Sequence, residues 1–360
     1  MAKTKYTPFL KLKANEVGAF ANLADEVSDD IVPFFDLPTK NGLTEVAFRT
    51  MVEKSARKIE KNLGSDRTFF LDNFDIPDAI TVGGKPNYTY AAAAFSKLAF
   101  VPVVGLNRSA GHNQAVFHSR EEGLVDSSRI AVRLVGDDFD DFCLVEDELS
   151  DLIGQALEVF EDCTLIIDCR VCLNANPGAE ASRIHKFLTA AEAKFPFAEI
   201  IVTGSSLPAS IGQVAKTAQE SELNRVELQI FDALRSFGGM DHLGLGDYTV
   251  VSPLYSDVTL PPEMLLNITA PKVLYAHGVV HYIARGGALK AHARGNLQYN
   301  DMLSDLTKMP FYRGEHYSYG DAFIAEKAQM GGSMVTPGSV LKPTINAHIT
   351  YMATDHPLVT

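Results

Sequence analysis

The run Ile130-Ala131-Val132-Arg133-Leu134-Val135 is followed by an acidic loop, a helix-like stretch over Glu146–Phe160, and a second run, Thr164-Leu165-Ile166-Ile167-Asp168-Cys169-Arg170. Two such runs joined through a helix read as neighbouring parallel strands. Parallel strands need a crossover connection, and a right-handed one returns the chain to the same sheet. Both runs carry charge at or near their ends, and in a barrel of such units the C-terminal strand ends form the mouth where active sites sit.

Working outward, the same rhythm recurs at Thr7–Lys13, Ile31–Asp36, Thr68–Asp72, Val101–Leu106, Glu199–Ser205 and Tyr248–Tyr255, making eight runs in all. Helix-like stretches lie between them at Asn15–Ala24, Thr44–Leu63, Ala91–Leu98, Ala179–Lys194 and Glu220–Ser236. Eight runs without a reversal of order favour closure into an α/β, TIM-like (β/α)8 barrel over an open doubly wound sheet. The barrel is expected to occupy residues 1–259. Residues 260–360 break the rhythm and form a C-terminal α+β appendage: one or two strands in Lys272–Arg285, short helices at Asn300–Thr307 and Asp321–Gln329, and a final strand at Ala347–Ala353.

A chain of 360 residues with 46% apolar content buries a large core. Its net charge of −13 argues against a general nucleic-acid binder, because phosphate neutralisation calls for a surplus of lysine and arginine. No uncharged apolar run reaches the roughly 18 residues of a membrane span, and the lysine-bearing start leads into no apolar signal core, so no membrane is involved and a cytoplasmic location is expected. Cys169-x-x-Cys172 lacks a second pair, so Cys143, Cys163, Cys169 and Cys172 read as reduced thiols rather than zinc ligands. His277 and His281, four apart in a strand-like stretch, would share a face, though a metal pair is the weaker reading.

Side chains alternate across a strand, and helices outside a barrel take the apolar face. In the first run Leu10 and Leu12 therefore point outward, while Lys11 and Lys13 point inward with Phe9. Parity likewise places Asp36 with Phe34, Asp72 with Phe70, Arg133 with Ala131, and Asp168 and Arg170 with Ile166. Thr203 and Ser205 follow Ile201. Four cations and three carboxylates thus converge on one rim. Buried charges must pair with one another, coordinate a metal or await a charged ligand.

A closed ion-pair network is the simplest outcome. The alternative is a site in which Lys11, Lys13 and Arg133 meet a phosphate or carboxylate, and Asp36, Asp72 or Asp168 acts as general base or holds a divalent ion such as Mg2+. Arg170, Thr203, Ser205 and Asn107 would then contact the substrate. Arg108 and His112 follow the fourth run and could line the mouth, although Gly111-His112-Asn113 also reads as a solvated turn. P-loop, dinucleotide, zincin and serine-hydrolase signatures are absent. The chemistry so indicated is that of an enzyme cleaving a phosphorylated or nucleotide-like small molecule. From a different class, a ligand sensor or a component covered by a partner protein or a second copy would show paired charges and a plugged mouth.

Several segments carry a resemblance. Tyr6-Thr-Pro-Phe-Leu-Lys-Leu-Lys13 followed by Asn15-Glu16, Ile31-Val-Pro-Phe-Phe-Asp36, Gly246-Asp247-Tyr248, Tyr319-Gly-Asp-Ala-Phe-Ile324 and Asn346-Ala-His-Ile-Thr350 together resemble the beta protein family of bacterial and phage genomes. Asp36 stands where that family more often has Glu, Ala347 replaces one of its paired histidines, and its C-terminal tryptophans are absent. The resemblance implies the barrel architecture and an association with mobile elements or phage conflict, without supplying a substrate. It also singles out Asp321, otherwise a helix cap, and His348.

Overall fold

The computed structural model describes residues 6–255 and 269–359, and eight of its strands close into a parallel barrel. In chain order the strands are β1 (Tyr6–Lys11), β2 (Phe34–Asp36), β3 (Phe69–Asp72), the small hairpin β4 (Thr81–Val82) and β5 (Lys85–Pro86), β6 (Phe100–Val104), β7 (Arg129–Val135), β8 (Asp162–Val171), β9 (Glu199–Ser205), β10 (Gln219–Asn224), β11 (Gly244–Asp247), β12 (Lys272–His277) and β13 (Val280–Arg285). Around the barrel the order is β1-β11-β9-β8-β7-β6-β3-β2. The barrel with its C-terminal appendage is therefore the fold. The boundary expected at residues 259/260 and the start of the chain before Tyr6 lie outside the described residues.

The parity expected of the strands holds. Phe9, Phe34, Phe70, Val101, Val103, Ala131, Ile166 and Ile201 fill the lumen with Tyr248, whereas Leu10, Phe35, Leu71, Val132, Leu165 and Val202 belong to the larger core beneath the helices. Helix starts follow local chemistry: Thr44 caps Glu45–Leu63, and Asn176 caps Pro177–Lys194, which has proline in its first turn.

Five expectations are corrected. The eighth strand is Gly244–Asp247, not Tyr248–Tyr255; it lacks an apolar run because Gly246 passes so close to Phe9 that a Cβ would sit 2.6 Å from the ring. Glu220–Ser236 is not all helix: Gln219–Asn224 is a strand pairing with β13, and the helix starts at Val226. Ala347–Ala353 is part of a helix, Pro337–Thr354, capped by Thr336; its β-branched residues reflect burial rather than extension. His277 and His281 sit on opposite strands of the β12–β13 hairpin, so His277 stacks on Phe311 while His281 faces His348. The segment holding His112 is helical, Ala110–Glu121, with that ring buried against the Val103 carbonyl at 3.2 Å.

The C-terminal helix packs on helix Ala14–Phe20 and on β1, sending Ile345, Ile349 and Met352 into the barrel's outer core. It takes the place of an outer barrel helix. Its contact with helix Tyr319–Ala328 requires Gly320, where a Cβ would lie 2.0 Å from the Pro343 carbonyl oxygen and 2.8 Å from the Ala347 nitrogen. Gly320→Ala is expected to destabilise the chain by about 1–3 kcal/mol, as overpacking does. A thermal or urea midpoint equal to the parent's would contradict this packing. Among the described residues no helix is long and apolar enough to cross a membrane.

Candidate functional site at the barrel mouth

Arg133 is the hub of the lumen. From the fifth residue of β7 its guanidinium reaches across the barrel and uses five N–H donors: Nη1 to Asp36 Oδ1 at 2.9 Å and Asp72 Oδ2 at 2.8 Å, Nε and Nη2 to Asp168 Oδ2 at 3.0 and 2.6 Å, and Nη2 to the Tyr248 hydroxyl at 2.7 Å. Tyr248 in turn donates to Asp168 at 2.6 Å. No donor remains for a ligand, since a guanidinium has five. Asp72 and Asp168 are fully buried, as is Arg133, and the guanidinium occupies the space among the three carboxylates.

Burial and charge compete at each member. Burial pushes the Asp36 carboxyl up to about 6, with Arg133 pulling against it. Asp72 is buried too, but Arg108 and Arg133 together outweigh that and hold it below the usual range. Burial works against the charge on Arg133, yet Asp36, Tyr248, Asp168 and Asp72 keep it well above its ordinary value.

Above this floor stands a second layer. Arg108 grips Asp72 at 2.5 Å, and Arg170, at a left-handed φ of 48°, approaches Asp75 at 3.5 Å, the Pro253 carbonyl at 3.3 Å and the Tyr248 hydroxyl at 3.4 Å. The Phe74 ring lies among three guanidiniums, 4.6 Å from Arg108, 4.6 Å from Arg133 and 4.5 Å from Arg170. Lys11 donates to the Leu254 carbonyl at 3.3 Å and rests 3.4 Å over the Tyr255 ring. Among the described residues it has no carboxylate within ion-pair distance. Burial, with neighbouring Lys13, lowers its pKa to about 8. Asp75 Oδ2 is buried without a hydrogen-bond partner among the described residues.

Of the residues singled out in the sequence, Lys11, Asp36, Asp72, Arg133, Asp168 and Arg170 gather at the mouth, in two layers. Lys13 lies beyond the end of β1, exposed, as the residue preceding helix Ala14–Phe20, with its amine 4.9 Å from the Tyr255 ring; it is on the outer rim and not in the lumen. Thr203 is buried with its hydroxyl unpartnered among the described residues. Ser205 accepts a hydrogen bond from the Leu207 amide and so caps its own turn. Asn107 is exposed on the loop after β6 and makes none of the network's hydrogen bonds. Asp75, Phe74 and Tyr255 were not anticipated; the signal available was position, since Phe74 and Asp75 follow Asp72 on the loop leaving β3. Among the described residues no three His, Cys, Asp or Glu side chains converge as metal ligands.

The surroundings are cationic as well. Lys13, Lys40, Lys54 and Lys58 line a groove beside the rim. Such clustering raises the local concentration of anions even on an acidic protein.

A second buried network joins barrel and appendage. Asp247, at the end of β11, accepts from Arg225 at 2.5 Å, from Tyr6 at 2.9 Å, from the Thr249 amide at 2.8 Å and from His348 Nε2 at 2.9 Å. Arg225 also reaches Glu227 at 3.1 Å, and Glu227 accepts from Ser206 at 2.6 Å. Asp321, near the start of helix Tyr319–Ala328, accepts from Tyr275 at 2.6 Å and from its own cap Ser318 at 2.5 Å. His348 and Asp321 thus fasten elements together.

A family model described as "Beta protein" matches residues 6–354. No curated protein matches the chain.

Proposed function

This chain belongs to the beta protein family, and from that premise we propose that its barrel mouth receives a small phosphorylated molecule and hydrolyses its phosphoester. The carrying observation is the unequal charge of the two layers. The floor carboxylates share Arg133, with Arg108 also committed to Asp72, whereas above them Lys11, Lys13 and Arg170 face one carboxylate, Asp75, in a chain whose net charge is −13.

In this reading Lys11 and Arg170 hold the phosphate, and Lys11, mostly protonated at neutral pH but with a lowered pKa, gives its proton to the leaving oxygen. The open oxygen of Asp75 takes the proton of the attacking water. Arg133, Asp36, Asp72 and Asp168 position the rim without touching substrate, and the role expected of Arg133 as a phosphate contact passes to Arg170. Free thiols at Cys143, Cys163, Cys169 and Cys172 fit a reducing, cytoplasmic setting.

Lys11→Met is expected to lower turnover of a responsive phosphoester by about 10²–10⁴-fold while leaving the melting temperature close to the parent's. Binding of inorganic phosphate by the parent should weaken as pH rises through about 8, because the cation at Lys11 is lost there. Undiminished turnover in Lys11→Met would end this assignment. The saturation of Arg133 favours a second reading, a sensor within a phage-defence or counter-defence module; it predicts Lys11-dependent phosphate binding with no hydrolysis across a panel of alkyl and sugar phosphates.

A further inference from the structure

Between the mouth and the appendage lies a cavity of about 300 Å3. Lys11, Lys13 and Tyr255 belong to its lining as well as to the rim, so the two spaces share one cationic boundary. The rest of the wall is built from both parts of the chain. Leu207 comes from the loop after β9, Val250 from the segment after β11, Leu274 from β12, and Val340 and Leu341 from the C-terminal helix.

We propose that this cavity holds an aliphatic body attached to the anionic head at Lys11, so that the ligand is an amphipathic phosphate with a hydrocarbon chain rather than a nucleotide. The inference rests on the reading of the mouth as an anion site and narrows it. Among the described residues aliphatic side chains dominate the wall, and burying methylenes there is favourable in proportion to the area removed from water. Of the polar side chains on the wall, Thr344 donates to the Val340 carbonyl at 3.1 Å and the Ser252 hydroxyl accepts from the Leu254 amide at 3.1 Å, while Lys272, exposed at the start of β12, adds a further cation at the edge. A nucleobase edge set against this aliphatic wall would give up hydrogen bonds to water that the wall does not replace, which costs free energy. The volume sits at the small end of ordinary ligand pockets, which suits a short chain and not a long lipid.

The test is calorimetric titration of the full chain with inorganic phosphate, butyl, hexyl and octyl phosphate, octanol and AMP, in the parent and in Ala209→Phe. Ala209 is a half-buried loop residue of the cavity wall, where a larger ring would occupy the chain's space. Affinity should climb about fourfold per added methylene until the cavity is filled. Octyl phosphate should bind at least tenfold tighter than AMP, and Ala209→Phe should remove that gain while leaving inorganic phosphate unchanged. The chain-length series in the parent stands even where the variant fails to fold. Phosphate binding without any chain-length gain would overturn this inference and leave the anion site standing. Failure of every phosphate to bind would overturn the anion site itself. Octanol binding as tightly as octyl phosphate would overturn the shared boundary at Lys11.

Discussion

Arg133→Met should lose about 3–5 kcal/mol of stability at neutral pH, a large part of what a folded chain ordinarily has. Methionine fills much of the space but leaves Asp36, Asp72 and Asp168 buried together without the cation that all three address. The loss should also depend on pH in a defined direction. Burial already pushes Asp36 up to about 6 with Arg133 present, and removing the cation raises that carboxyl further above its unfolded value near 4. A folded pKa raised above the unfolded one penalises the native state at high pH, and the penalty fades as pH falls toward the unfolded pKa. The gap between variant and parent should therefore narrow between pH 7.5 and pH 5. Asp36→Asn added to Arg133→Met should recover part of the loss. Urea midpoints at the two pH values measure this; a variant as stable as the parent, or a gap unchanged by acid, would contradict the account of the floor.

Asp247→Ala should have a comparable effect through the other buried network. It leaves the fully buried Arg225 guanidinium with Glu227 as its one carboxylate partner among the described residues, and the Tyr6 hydroxyl and the His348 imidazole without the acceptor they share. Breaking one partner of a buried charged pair costs about 3–5 kcal/mol, and the lost hydrogen bonds add to it. Acid should imitate the change. The Asp247 carboxyl is buried, but His348 and Arg225 hold it well below its ordinary value, so its contribution is present above about pH 4 and is lost as pH falls toward the folded value. Burial also lowers the pKa of His348, so charging that ring costs stability as pH falls below its unfolded value near 6.5. Both signs agree. Hydrogen exchange across Pro337–Thr354 should accelerate in Asp247→Ala before exchange in the barrel strands does. Equal acceleration everywhere would show that the network does not fasten this helix in particular.

Much of the barrel was legible because alternation is a geometric rule: the partners of Phe9, Phe34, Phe70, Ala131 and Ile166 follow from counting by two, and they brought Lys11, Asp36, Asp72, Arg133 and Asp168 to one end. What escaped reading had physical reasons. β11 is thin in apolar residues because a neighbouring ring occupies the place of a side chain at Gly246. The C-terminal helix looks like a strand because a helix buried on most sides has no polar stripe to give a 3.6-residue period. Pairing could not be read at all: parity puts Arg133 in the lumen, but only the depth of its reach decides that it meets three carboxylates rather than a ligand. Phe74, Asp75 and Tyr255 lie in loops, where no periodicity exists to place them.

The central claim is that the deep charges answer one another while the rim charges await an anion. A crystal structure of the full chain with octyl phosphate tests it most directly. The account predicts the phosphate within hydrogen-bond distance of Lys11 Nζ and the Arg170 guanidinium, the alkyl chain against Leu274 and Val340, and the five donations of Arg133 unchanged. A phosphate bound by Arg133, with Asp36, Asp72 or Asp168 displaced, or one bound away from Lys11, would contradict it.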